Sequence, residues 1–179
     1  MDKNKQPNTL KTDQQDITLR EITIDDLPEA ERLFEDNLEH FASGGLAGLY
    51  AEAVRVAQSD DSKSEQYGVY NGGELVGYIK ADPGNNPSEV EVSYGIDKRA
   101  TKKGIALAAL NAFTEWQNEA GKNVRADVDV RNIASQKVLE KAGFTTKRDM
   151  NEDGRIVYEK LSDDEAAIAE KLRELGMYW

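Results

Sequence analysis

The chain has 179 residues, and its 23 lysines and arginines against 34 aspartates and glutamates give a formal net charge of −11. It has no cysteine and a single histidine, His40, which excludes disulfide frameworks, thiolate nucleophiles and the usual cysteine- or histidine-rich metal sites. The acidic balance also argues against a nucleic-acid partner, because binding to a phosphate backbone is driven by lysine and arginine.

The chain carries no feature of a membrane or exported protein. No run approaches the roughly 20 apolar residues that a spanning helix needs, and residues 1–16 lack the apolar core of a signal peptide. We therefore expect a cytoplasmic protein without a membrane partner. Its polar residues 1–16 are predicted to form a disordered tail, and 17–179 a single domain.

In the first third of the chain, the spacing of apolar residues predicts one strand and two helices. Apolar and polar residues alternate from Ile17, as in a half-buried strand. Aspartates and then apolar residues at helical spacing predict a helix over about 26–39. A second helical pattern covers 46–57.

A three-stranded meander is predicted next. QYGVY and ELVGYIKA flank Asn71-Gly72-Gly73, residues that accept the positive φ angles of a tight hairpin. A turn at 82–87 precedes EVEVSYGI at 89–96, in which apolar and polar residues alternate.

In the second half of the chain, the spacing of apolar residues alternates between that of a helix and that of a strand. A helical stripe from Ile105 ends at Gly121, a residue typical of a helix C-terminus, and alternation predicts a strand at 125–130. A short helix at about 133–142 and a hairpin turning at 151–154 follow. With a C-terminal helix over 163–175, the order predicts a mixed α/β sheet with one strand–helix–strand crossover.

The crossover carries a concentrated positive charge. Although the chain as a whole is acidic, one segment of six residues contains four basic ones: Lys98, Arg99, Lys102 and Lys103. This segment lies directly before Gly104 and a predicted helix start. The exposed N–H groups and the dipole of a helix N-terminus bind phosphate, and nearby lysines add charge. A solvated basic loop remains the alternative.

A second pair of polar residues follows the last strand of the crossover. Asn132 stands at the strand end, where its amide could meet a ligand, and Ser135 lies in the first turn of the next helix. An ordinary helix cap explains the same spacing.

The runs YGIDKRATKKGIALAALNAF and VDVRNIASQKVLEKAGF resemble the GNAT superfamily of acyl-CoA-dependent N-acyltransferases. The resemblance is greatest to the branch of ribosomal-protein N-terminal alanine acetyltransferases, the RimJ and RimL type, and covers about 17–160. It implies a mixed, mostly antiparallel central sheet with flanking helices. In such a sheet, a splayed parallel strand pair binds acyl-CoA.

The resemblance also implies which residues would bind acetyl-CoA. Thr101–Ala106 matches the pyrophosphate loop at both of its small positions, although Thr101 stands where glutamine or arginine is usual. The acyl and pantetheine portion would lie along Tyr94, Gly95 and Ile96. The pyrophosphate and pantetheine contacts would come from Lys98, Lys102, Lys103, Gly104, Ile105, Ala106, Asn132 and Ser135.

For catalysis, the resemblance implies that a neutral amine attacks the thioester directly, so a carboxylate base is needed at neutral pH. Asp129 matches the position where some members place a catalytic glutamate and is the first candidate for the base. Glu91 ranks just behind it, and Glu89 is a further candidate. Many members use a tyrosine as the acid for the leaving thiolate. Leu139 occupies that position here, which leaves Ser135. A solvated carboxylate on a strand face is the alternative for each acidic residue.

The resemblance predicts an acetyltransferase acting on a primary amine, most readily a protein or peptide N-terminus. The alternatives are a small amine, such as a polyamine, an aminoglycoside or an amino acid, and a non-catalytic acyl-CoA sensor. The acceptor pocket would be formed by 37–65, including His40, and the protein would be a monomer or homodimer without a metal.

Overall fold

The computed structural model of the protein describes residues 9–14, 16–37, 65–150, 154–175 and 177. Within these ranges the chain forms eight strands and four α-helices. The strands are β1 (Thr9–Lys11), β2 (Ile17–Arg20), β3 (Glu65–Asn71), β4 (Glu74–Pro83), β5 (Glu89–Ile96), β6 (Asn123–Asp129), β7 (Thr145–Met150) and β8 (Arg155–Lys160). The helices are α1 (Leu27–Asn37), α2 (Ile105–Glu119), α3 (Ile133–Lys141) and α4 (Asp163–Glu174). Short 3₁₀ turns span Ile24–Asp26 and Lys98–Ala100.

The described strands join in the order β1-β2-β3-β4-β5-β6-β8-β7. The pairs β1–β2, β2–β3 and β3–β4 are antiparallel. β8 pairs antiparallel with both β6 and β7. β5 and β6 are parallel, with a ladder that runs from the Glu89–Asn123 pair to the Glu91–Arg125 pair. Parallel neighbours need a crossover connection, and α2 supplies it. This confirms the mixed α/β sheet predicted from the order of elements and the mostly antiparallel arrangement that the resemblance implies.

The described residues divide into two compact units. The β1–β4 unit takes the described parts of Lys5–Asp82 and Ser93–Phe113, and the β6–β8 unit takes those of Pro83–Val92 and Thr114–Trp179. In the β1–β4 unit, Leu27 packs on a buried cluster of Ile22, Ala30, Leu33, Tyr70, Leu75 and Tyr78. In the β6–β8 unit, alternate residues of β6 are buried, as are Leu139, Phe144 and Tyr158.

A buried carboxylate, Asp26, joins β2 to α1. It accepts hydrogen bonds from the Thr23 N–H and hydroxyl (both 2.8 Å) and from both Nη atoms of Arg20 (2.6 and 2.8 Å). Burial raises the pKa of Asp26, but the bonds from Arg20 and Thr23 outweigh it and lower the pKa to about 2. The Arg20 guanidinium also lies 3.8 Å from the centre of the Tyr70 ring.

The predicted elements are confirmed wherever the structure describes them. Gly72 and Gly73 have φ angles of 60° and 90°, as the predicted hairpin turn requires, and Gly121 follows α2 with φ 77°. The helical pattern at 46–57 and residues 151–153 of the predicted hairpin turn lie outside the described residues. None of the described helices is both long and apolar enough to cross a bilayer.

One prediction is wrong in part. Residues 1–16 were expected to be a disordered tail, yet Thr9–Lys11 forms β1. The physical reason is pairing with a strand that the tail's own sequence does not reveal, since Leu10 lies opposite Leu19. The assignment of 17–179 to a single domain stays a prediction.

Candidate functional site

The basic segment that follows β5 forms a loop at the start of α2. Lys102 takes the left-handed conformation with φ 64°, and Gly104 has φ 80°. The Gly104 carbonyl accepts the first helical hydrogen bond of α2, from Ala108 N–H at 3.0 Å. The N–H groups of residues 105–107 therefore precede the helical ladder and are available to an anion at the positive end of the helix dipole.

The charges in this loop have two different environments. The Arg99 guanidinium lies 2.6 Å from the Asp97 carboxylate and 3.4 Å from that of Asp36. The side chains of Lys98, Lys102 and Lys103 are exposed. The loop thus presents three lysines to solvent at the N-terminus of a helix, which suits a phosphate group.

The end of β5 lies close against β4. A Cβ atom added to Gly77 would fall on the Gly95 carbonyl oxygen and press on Ile96. Gly95 and Ile96 are buried and Tyr94 is half-buried. Within the loop and first turn, Ile105 is buried and Ala106 half-buried. All the residues predicted to bind the acyl, pantetheine and pyrophosphate portions from 94 to 106 thus lie within the β1–β4 unit.

The remaining predicted site residues lie in the β6–β8 unit, and the turn from β6 into α3 connects three of them. The Asn132 N–H donates to the Asp129 carbonyl at 2.8 Å, and the Asn132 Oδ1 accepts from Ser135 N–H at 3.1 Å. Asn132 is therefore the N-cap of α3, as the alternative interpretation proposed, and Ser135 lies in the first turn. The Asn132 side chain is exposed and Ser135 is half-buried.

Asp129 is held by the residue two positions further on. Its Oδ1 accepts the Arg131 N–H at 2.8 Å, and its Oδ2 lies 2.6 Å from Arg131 Nη2. These bonds hold the pKa of Asp129 well below its usual range. The bond from the Arg131 side chain contributes most to this lowering, and the bond from the Arg131 N–H contributes the next largest share. A carboxylate in this state is a weak proton acceptor, and its contacts order the turn in which Asn132 and Ser135 lie.

The two glutamates of β5 differ in their contacts. Glu89 Oε1 accepts the Asn85 N–H at 3.0 Å and so belongs to the turn before β5. Glu91 is exposed and lies opposite Arg125 in the parallel ladder. The pKa of Arg125 is raised chiefly by its hydrogen bonds to Asp127, with smaller contributions from Glu91 and Glu89.

Leu139 is fully buried in α3. The position at which the resemblance implies a tyrosine therefore serves packing in this protein. His40 lies outside the described residues, and in the part of the chain that the structure describes no cluster of three or more histidines or acidic residues could hold a metal ion.

Three residues near the loop were not identified from the sequence. Asp97 lies directly before the 3₁₀ turn and caps it, a role that its spacing from Arg99 could have indicated. Asn37, 61 residues away, accepts the Lys98 N–H, and no local signal reveals that contact. Gln14 lies against Gly104, since its Nε2 would be 3.0 Å from a Cβ atom added there.

Residues 16–145 match a family model described as an acetyltransferase (GNAT) domain. No curated protein sequence matches the chain. Among solved structures, the ribosomal-protein-S5-alanine acetyltransferase from Vibrio fischeri is 20% identical, with a TM-score of 0.68 over 85% of this chain and 96% of that one. RimJ of Mycobacterium smegmatis, solved with CoA-disulfide, is 19% identical, with a TM-score of 0.68 over 97% of both chains. The microcin C7 self-immunity acetyltransferase MccE, solved with acetyl-CoA and AMP, is 15% identical, with a TM-score of 0.67 over 83% of this chain and 93% of that one.

Proposed function

We propose, from the premise that the chain belongs to the GNAT acetyltransferase family, that it transfers the acetyl group of acetyl-CoA to the α-amino group of a protein or peptide. The observation that carries the cofactor half of this proposal is the loop before α2. There, positive φ angles at Lys102 and Gly104 bring exposed lysines to a helix N-terminus. In this proposal, Lys98, Lys102, Lys103 and the first N–H groups of α2 bind the pyrophosphate.

The pantetheine arm is assigned to the two strands of the parallel pair. The β5–β6 ladder occupies only the first three residues of each strand, and the rest of β5 carries Tyr94, Gly95 and Ile96. Main-chain groups beyond the ladder suit an amide-bearing arm that binds as an added strand does. Asn132 and Ser135, at the turn after β6, are proposed to contact the same arm.

Transfer requires a neutral amine, so the proposed base must accept a proton at neutral pH. The lowered pKa of Asp129 and its contacts with Arg131 argue for a turn-ordering role. Glu91 is exposed on the strand that leads into the proposed thioester site. We therefore favour Glu91 as the base, acting directly or through water, with Asp129 as the second candidate.

The proposed acid for the departing CoA thiolate is Ser135. Leu139 has no ionisable group and is fully buried, so the tyrosine version of this step does not apply here. A serine hydroxyl can donate a hydrogen bond to the sulfur and relay a proton from water. Positioning of the bound amine against the thioester would supply much of the remaining rate enhancement.

The acceptor is proposed from the structural relatives. The Vibrio fischeri structure is named as a ribosomal-protein alanine acetyltransferase, and its fold extends over most of this chain. The acidic character of the chain suits a cationic amine or a basic peptide through electrostatic steering.

The test is release of free CoA, read with a thiol reagent, which the chain itself does not react with because it has no cysteine. Peptides that begin with alanine, serine or methionine are compared with polyamines and aminoglycosides. Each peptide is also supplied with its α-amine acetylated. Turnover that disappears on capping supports the proposal, and turnover on small amines alone refutes the peptide acceptor. Binding of acetyl-CoA without turnover on any amine favours a sensor.

Variants then separate the proposed roles. Glu91→Gln is expected to lower kcat at least tenfold, whereas Glu89→Gln, on the same strand but bonded to its turn, serves as the matched control. Asp129→Asn keeps an oxygen for the Arg131 N–H and so preserves the turn. A large loss of kcat in Asp129→Asn with none in Glu91→Gln would assign the base to Asp129.

A further inference from the structure

We infer that Asp97 and Asn37 are positioning residues that hold the loop Lys98–Gly104 in the conformation that binds the pyrophosphate of acetyl-CoA. The inference rests on the proposed function and deepens it. Neither residue needs to touch the cofactor, because both act on the backbone and charges of the loop. All the contacts involved lie within the β1–β4 unit.

Asp97 fixes the point where the chain leaves β5. Its N–H donates to the Val76 carbonyl of β4 at 2.7 Å, and its own carbonyl accepts Ala100 N–H at 2.8 Å. Its carboxylate, only 3% exposed, accepts the Arg99 N–H at 2.9 Å and pairs with the Arg99 guanidinium. One residue therefore ties the loop to the sheet, closes its 3₁₀ turn and neutralises the charge of Arg99.

Asn37 fixes the next residue from the end of α1. Its Oδ1 accepts Lys98 N–H at 3.0 Å, while its Nδ2 donates to the Leu33 carbonyl at 2.9 Å. The residue is 1% exposed. Because the amide is bonded on both sides and buried, it cannot turn to another partner without leaving a buried polar group unpaired.

Two acidic and two basic residues reinforce this junction. Arg32 of α1 lies 3.4 Å from Asp36 and 3.7 Å from Asp97, and Arg99 lies 3.4 Å from Asp36. The C-terminal end of α1 and the start of the loop are thus held by alternating charges. The network supports the two buried residues.

The loop needs such anchors because its own sequence opposes its shape. Four cations within six residues repel one another, and Lys102 occupies a left-handed conformation that costs a residue with a Cβ atom about 1 kcal/mol. The anchors lie in its first half, where Thr101 Oγ1 also donates to the Lys98 carbonyl at 2.9 Å. Its second half, with Lys102 and Lys103 exposed, is then preorganised for an anion, which reduces the ordering cost on binding.

The test compares Asn37→Ala and the series Asp97→Asn and Asp97→Ala with wild type. Calorimetric titration with CoA should show a dissociation constant about tenfold higher for Asn37→Ala, the effect of one lost backbone hydrogen bond. Asp97→Asn keeps an oxygen for the Arg99 N–H, so it should weaken CoA binding less than Asp97→Ala. In turnover, KM for acetyl-CoA should rise while kcat at saturation stays within about twofold, and use of acetylpantetheine, which lacks the pyrophosphate, should be unchanged.

Asp26→Asn is the matched control, because Asp26 is also buried, also accepts a nearby backbone N–H and also binds an arginine through both oxygens. It should lower stability without changing the CoA dissociation constant. Equal weakening of CoA binding in Asp26→Asn and Asn37→Ala, or wild-type binding in both Asn37→Ala and Asp97→Asn, overturns the inference. If Asp97→Ala fails to fold, CoA binding by Asn37→Ala and Asp97→Asn decides the question. Absence of CoA binding by wild type would instead refute the proposed function.

Discussion

Asp26 allows a quantitative test of the packing around α1. Asp26→Asn keeps the shape of the side chain and an oxygen for the Thr23 N–H, but it removes the charge that holds Arg20. The folded pKa of about 2 lies below the usual aspartate pKa of 3.8, and this lowering corresponds to about 2 kcal/mol at pH 7. The Asp26 side chain is only 8% exposed, so solvent screening removes little of this stabilisation.

The pH dependence follows from the direction of that shift. Because the folded pKa is the lower one, the unfolded chain binds a proton more readily as the pH falls. The stabilisation is therefore complete above about pH 5, roughly half lost at pH 3 and absent below about pH 2. Urea unfolding of wild type and Asp26→Asn should differ by about 2 kcal/mol at pH 7 and by about half as much at pH 3.

Asp25→Asn, the exposed neighbour in the same 3₁₀ turn, is the control and should unfold like wild type. A difference between wild type and Asp26→Asn that stays constant from pH 7 to pH 3 would refute the pKa argument. A difference that grows as the pH falls would reverse its sign.

Three further predictions concern the β4–β5 contact, the loop and α4. Gly77→Ala should lower the free energy of unfolding by at least about 2 kcal/mol, because the new Cβ meets the fixed Gly95 carbonyl; an unchanged thermal midpoint would contradict this. Lys102→Ala combined with Lys103→Ala should raise KM for acetyl-CoA several-fold at low salt and less at about 0.5 M salt, where screening is strong; initial rates that show no salt dependence would count against it. Ser162→Ala removes the N-cap of α4 and should cost about 1 kcal/mol in urea unfolding, with Ser162→Asn restoring most of it.

Elements built on local patterns could be predicted from the sequence. The β3–β4 hairpin follows from two glycines between alternating strands, and the ends of α2 and α3 follow from Gly121 and Gly143, which both have positive φ angles. β1 could not be predicted, because three residues of a polar segment become a strand only through pairing with β2. The alternation of apolar and polar residues that indicates a strand extends over the four residues of β2, whereas the three residues of β1 are too short a run to show it.

The chemistry of the site shows the same division. Sequence spacing places the basic residues before a helix and Ser135 in a first turn, and the structure agrees. Sequence spacing does not reveal that Arg99 is neutralised by Asp97 and Asp36, or that Asp129 is bonded to Arg131. These pairings depend on side-chain directions set by the turns, so a count of charges along the chain overstates how many act on a ligand.

The short strand β1 decides what a second protein molecule would meet at one edge of the sheet. Among the strands that the structure describes, it is the last in the order at that edge; it is three residues long, and its Thr9 and Lys11 side chains are exposed. A short edge strand that carries a lysine is a poor template for intermolecular pairing. The strand that it covers, β2, contains Ile17 and Leu19, both buried. Loss of β1 would uncover the backbone of a strand that carries these two buried apolar side chains, so the three residues protect the sheet against edge-to-edge aggregation.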